Sequence, residues 1–82
     1  MFVKCKIKTI LAKPVEFLMN VETIVTLEKL VDEHKLNLHL NTGDFEFWFD
    51  SEEIKDEVYN AFTELLATKQ TVISDNISLL TL

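Results

Sequence analysis

The chain has 82 residues, 48% of them hydrophobic, with one glycine and one proline, which is material for one domain with its own core and little irregular loop. Eight positive side chains, all lysine, stand against fourteen acidic ones for a net charge of −6, and without arginine to fork onto phosphates or base edges this argues against a nucleic-acid binder. The single cysteine excludes an internal disulfide, and no apolar run approaches the ~18 residues of a membrane span.

The first six residues alternate instead of forming the unbroken apolar core of a secretory signal, so the expected setting is cytoplasmic and reducing. A first strand is predicted over about 2–11, with Val3, Cys5 and Ile7 on one face and Lys4, Lys6 and Lys8 on the other. The lysines read as guards of an edge strand; the competing reading is a surface for an acidic partner. Lys13-Pro14 marks a turn, because proline cannot donate to a ladder. Val15, Phe17 and Met19 then give a second strand over 15–19. Residues 20–35 carry two patterns. Asn20 can cap a helix, and Ile24, Leu27, Leu30 and Val31 have helical spacing, but Val21, Thr23, Ile24, Val25 and Thr26 are mostly β-branched. The β-branched run decides the reading: a turn at 20–23, then a strand over 24–30.

Leu36, Leu38 and Leu40 alternate with polar residues, and Phe45, Phe47 and Phe49 do the same beyond Thr42-Gly43. This predicts a hairpin of strands 36–41 and 44–49 with one apolar face. Pairing Leu40 with Phe45, Leu38 with Phe47 and Leu36 with Phe49 puts every apolar pair on that face. The same register sets His39 opposite Glu46 and Asn37 opposite Trp48. A helix follows over about 51–68, capped by Asp50 or Ser51, with acidic residues in its first turns and an apolar stripe of Ile54, Val58, Ala61, Phe62, Leu65 and Leu66. Lys55 falls on its opposite, polar face. The apolar end 76–82 predicts a further strand, added to this sheet or to a partner chain.

The expected fold is therefore a single α+β domain over 1–82: an antiparallel β-meander of four to five strands with one C-terminal amphipathic helix packed on one face. Its core is read as Val3, Cys5, Ile7, Phe17, Val25, Leu27, the three hairpin leucines, the three hairpin phenylalanines, and Ile54, Val58, Phe62, Leu65 and Leu66.

No constellation of residues points to catalysis, a cofactor or a metal. His34 and His39 are too few and too ill-spaced for a metal site. Lys4 and Lys6 flank Cys5 but point to the opposite face of a strand, so Cys5 reads as a core residue rather than a nucleophile. Asp44, Glu46, Asp50, Glu52, Glu53, Asp56 and Glu57 crowd into fourteen residues. They read as a solvated rim and helix start, or as an acidic surface for a basic partner. Trp48 faces away from the phenylalanines with Glu46, either as an interface anchor or covered by a terminal strand. The candidate partner-binding set is Trp48, Glu46, His39, Glu52, Glu53, Asp56 and Glu57.

The order of strand, "MNVETIV" turn, "LNLHLNTGDFEFWF" hairpin and "DSEEIKDEVYNAFTELL" helix over 14–66 resembles small bacterial PH-like meanders. The stretch "KPVEFLMNVETIVTLEKL" is similar to flagellar FlbD-type small proteins, with Asn20-Val21-Glu22 and Asn41-Thr42-Gly43 at the two turns. The resemblance implies a binding scaffold and carries over no functional residue. The expected function is a small non-enzymatic protein–protein interaction module that associates with a protein partner or with itself. The alternative is an acidic inhibitor, of the kind phages and other mobile elements make, that imitates nucleic acid and blocks a basic site on a host enzyme.

Overall fold

A computed structural model describes residues 1–82. It is an α+β fold of seven strands and one long helix: β1 (Phe2–Ile7), β2 (Val15–Asn20), β3 (Ile24–Lys29), β4 (Lys35–Leu40), β5 (Gly43–Trp48), α1 (Glu52–Thr68), β6 (Val72–Ile73) and β7 (Ile77–Thr81), with a 3₁₀ turn over Val21–Thr23. The strands divide into two antiparallel sheets, one in the order β2-β1-β7-β6 and one in the order β3-β4-β5. No helix is long and apolar enough to cross a membrane.

Asn20 caps a single 3₁₀ turn, its side chain accepting from the Glu22 backbone N–H at 3.2 Å, and from Ile24 the β-branched residues continue as extended strand. The inner faces of the two sheets and one stripe of α1 share a single core, built from Val3, Cys5, Ile7 and Met19, from Leu36, Leu38, Phe47 and Phe49, from Val58, Phe62 and Leu65, and from Ile77 and Leu79. Phe17 on β2 stacks on Phe45 and Phe47 of β5, with ring centroids 5.4 and 5.9 Å away. This aromatic stack draws the edge of one sheet to the edge of the other.

Several expectations are corrected. The first strand ends at Ile7, not Leu11, and β1 lies inside its sheet between β2 and β7. Its lysines are therefore the outer face of an interior strand and guard no edge. The C-terminal strand β7 supplies the second neighbour, pairing Cys5 with Leu79 and Ile7 with Ile77, so the apolar tail completes its own sheet. The hairpin register is shifted by two residues from the expected one: Leu36 faces Phe47, Leu38 faces Phe45 and Leu40 faces Gly43. A two-residue turn at Asn41-Thr42 closes it, the loop length whose twist best suits two antiparallel strands. A two-residue shift preserves the faces, which is why Phe47 remains buried and Trp48 remains outside. It does carry Phe45 toward the rim, where it is 41% exposed. Val25 is not in the core either: the β3–β4 register breaks between Ile24 and Thr26, and the extra residue turns outward.

Candidate docking surface

The outer face of the three-stranded sheet gathers three of the predicted site residues. Strand alternation places Trp48, Glu46 and His39 on this face, together with Lys35, Asp44 and Glu28. Lys35, not Asn37, stands opposite Trp48, and Asp44, not Glu46, stands opposite His39; both changes follow from the shifted register. The Trp48 ring is 42% exposed and held from two sides. Its Nε1–H donates to Glu46 Oε1 at 2.6 Å, and the Lys35 ammonium lies 5.0 Å from the ring centroid. Lys35 also pairs with Glu46 at 3.4 Å, so the three side chains form a closed triangle.

His39 sits beside this triangle. Its Nδ1 meets Asp44 Oδ1 at 2.9 Å and its Nε2 meets the Glu28 carboxylate. Hydrogen bonding first to Asp44 and then to Glu28 raises its pKa above the usual imidazole range. Two carboxylates on one imidazole make an ion cluster on a solvated face, not a cleft from which a proton could be moved to a substrate.

Alongside Trp48 runs a cleft of about 320 Å³ lined by Thr9, Ile10, Leu11, Val15, Phe45 and Phe47. The Ile10 N–H donates to the Trp48 carbonyl at 2.8 Å and fixes the segment after β1 along this edge. Ile10 and Leu11 are exposed, so four large apolar side chains with Phe45 and Trp48 form one patch. Sequence reasoning missed Ile10 and Leu11 because it extended the first strand through them. The strand's alternation stops at Thr9-Ile10-Leu11, a signal that could have marked its end.

The acidic helix start divides differently. Ser51, not Asp50, is the N-cap, accepting from Ile54 N–H at 3.2 Å. Glu52 takes the Lys55 ammonium at 3.1 Å, and Asp56 faces Lys29 at 3.5 Å. Glu57 accepts from Ser74 Oγ at 2.5 Å, from Asn76 N–H at 3.0 Å and from Asn76 Nδ2 at 2.9 Å. It pins the β6–β7 turn to the helix, and the Ser74 bond is the main reason its carboxyl is held below the ordinary carboxylate range. Only Glu53 has no partner within the chain among these four.

Glu57→Gln should lose about 1 kcal/mol of stability at pH 7, since the turn keeps its donors but loses the anion that takes them. The folded pKa is depressed, so this contribution is present above the unfolded value near 4.5 and fades as pH falls through the folded one. Urea unfolding of both proteins at pH 7 and pH 3 checks this: the two should differ at pH 7 and converge in acid.

Cys5 is fully buried, and burial pushes its thiol up to about 12, which leaves no thiolate at neutral pH. No group of three His, Cys, Asp or Glu side chains converges as a metal site would require. The largest concavity, about 720 Å³ between β3 and α1, is lined by apolar side chains such as Ile24, Val25, Leu27, Tyr59 and Leu66, with Glu22 and Lys69 as its charged groups. Comparison with known protein families, with characterised proteins and with solved structures finds no match.

Proposed function

We propose that this chain is a small non-catalytic protein-interaction module that docks a protein partner, a second copy of itself included, on the outer face of the three-stranded sheet with Trp48 as its anchor. One observation carries the reading: a large aromatic side chain left 42% exposed yet held in one orientation by Glu46 and Lys35. A ring fixed before binding loses little rotamer freedom when covered, and tryptophan in such a position is a frequent interface hot spot. The apolar patch of Ile10, Leu11 and Phe45 beside it supplies further area to bury. A binding scaffold is also what the likeness to PH-like meanders implies. The buried lone thiol suits a reducing, cytoplasmic setting. The nucleic-acid-mimic reading draws less support, since three of the four carboxylates at the helix start are engaged within the chain.

Trp48 is the only tryptophan, so its own fluorescence reports on the surface. On association its emission should shift to shorter wavelength and its quenching by acrylamide should fall. Trp48→Ala should weaken association by about 30-fold, the 2 kcal/mol of a hot-spot residue, with the unfolding midpoint nearly unchanged. Association of undiminished strength in Trp48→Ala would remove this surface from the function.

A further inference from the structure

The outer face of the four-stranded sheet is as bare as the Trp48 face. The register sets Leu18, Lys4 and Leu80 abreast across three strands. Phe2 and Leu82 lie next to them at one end of the face, joined by the Leu82 N–H to Phe2 carbonyl bond of 3.1 Å, and Lys6 lies at the other. Phe2, Leu18 and Leu82 are more than half exposed. Lys4 has no acidic partner, and Lys6 has only Glu16 at 3.7 Å. In a chain of net charge −6, Lys4 and Lys6 against the single carboxylate of Glu16 leave this face with a small positive excess and apolar margins.

We propose that this face docks on the Trp48 face of a second copy, head to tail. The inference rests on the reading of Trp48 as a docking anchor and names what the anchor meets. Charge selects the arrangement. A symmetric pairing of two copies through this face would bring Lys4 and Lys6 against their own counterparts, and like charges set together at an interface cost several kcal/mol. A symmetric pairing through the Trp48 face would set three carboxylates, Glu28, Asp44 and Glu46, near their counterparts with only Lys35 and His39 on the face to offset them. Crossing the two faces removes both conflicts, because the lysines of one copy then meet the carboxylates of the next, and Leu18, Leu80 and Phe2 meet Trp48 and its apolar neighbours.

The geometry permits repetition. The inner faces of both sheets share one core, so both outer faces turn away from it and are separate surfaces, and each copy can offer one to the copy before and one to the copy after. Such a contact is heterologous and does not close on itself as a two-fold dimer. A standard interface takes about 800 Å² from each partner, and the chain exposes 4961 Å² in all.

The test is complementation between variants that each lose one face, with solution mass measured by sedimentation or light scattering. The wild-type chain should rise with concentration past twice its 9.5 kDa mass. Lys4→Glu with Lys6→Glu should weaken association by about 100-fold or more and Trp48→Ala by about 30-fold, so that each alone stays at the mass of one chain at concentrations where the wild type has just associated. Mixed in equal amounts, these two variants should form a 1:1 pair and stop there, because each retains the face that the other has lost. Leu18→Glu, a separate exposed position on the lysine face, should behave like the lysine pair and be rescued by the same mixture. A wild-type chain that stays single up to about 1 mM, or a mixture that stays single, overturns the proposal. Loss of association in Trp48→Ala but not in the lysine pair would leave the Trp48 anchor standing and overturn head-to-tail docking alone.

Discussion

A chain cut after Asn76 should fail to fold cooperatively. The segment removed is β7, which lies between β1 and β6 and hydrogen-bonds to both. It carries Ile77 and Leu79, which are 2% and 0% exposed. Losing a buried side chain of this size costs about 2–5 kcal/mol, and truncation loses two of them along with the whole β1 ladder on that side. An 82-residue domain has about 4–12 kcal/mol of stability in total, so the deficit is of the size of the whole. Cutting also orphans Glu57, whose Ser74 and Asn76 partners are held in place by the β6–β7 turn. The milder change Leu79→Ala should retain the fold and cost about 3 kcal/mol. Near-UV circular dichroism and urea unfolding check both: no cooperative transition for the truncated chain, and a lowered midpoint with an unchanged slope for Leu79→Ala. A truncated chain with the wild-type midpoint would show that β7 contributes nothing to the core.

The α+β character and the identity of the inward faces were legible because strand alternation is a strong signal that survives local error. Leu36, Leu38, Phe47 and Phe49 point inward although the register was misread by two residues, since a slip of two leaves every side chain on its own face. The outward position of Trp48 and Glu46 follows from the same fact. What could not be read was long-range. Which strand neighbours β1 depends on Ile77 and Leu79 returning from the far end of the chain, and nothing in residues 2–7 signals whether a strand is interior or edge. The division into two sheets depends on the break at the 3₁₀ turn after Asn20, where a short polar cap looks like any other turn. The exposed apolar rim of Ile10 and Leu11 was hidden by extending one strand too far. The partners of the helical acids lie on other elements: Lys29 comes from β3 and Ser74 from the turn after β6.

The core holds one charged side chain, Lys55. Its charge makes Lys55 read as solvated, yet at 3.6 residues per turn it projects beside Phe62 and Leu66, on the apolar stripe and not on the polar face. In the fold it is 0% exposed, because the loop between β3 and β4 folds over the first turns of α1. The buried stripe is then Lys55, Val58, Ala61, Phe62 and Leu65, with Ile54 and Leu66 at its margins. The ammonium has three protons and three acceptors: the Leu30 carbonyl at 2.7 Å, the Glu33 carbonyl at 3.0 Å and Glu52 Oε1 at 3.1 Å. Its role is to tie a loop with few apolar contacts of its own to the helix start. Lys55→Met preserves most of the volume but leaves two carbonyls without their donor, and it should cost about 3 kcal/mol. Lys55→Arg keeps the charge, but its planar fork cannot converge on three acceptors around one point, so it should recover only part of that loss. Urea unfolding measures the stabilities, and amide hydrogen exchange over 31–35 measures the loop. Both variants should speed exchange there, Met more than Arg, while the β1–β7 ladder keeps its relative protection. A neutral or stabilising Lys55→Met, as occurs when some buried ion pairs are replaced by well-packed apolar groups, would show that the fold carries Lys55 without depending on it.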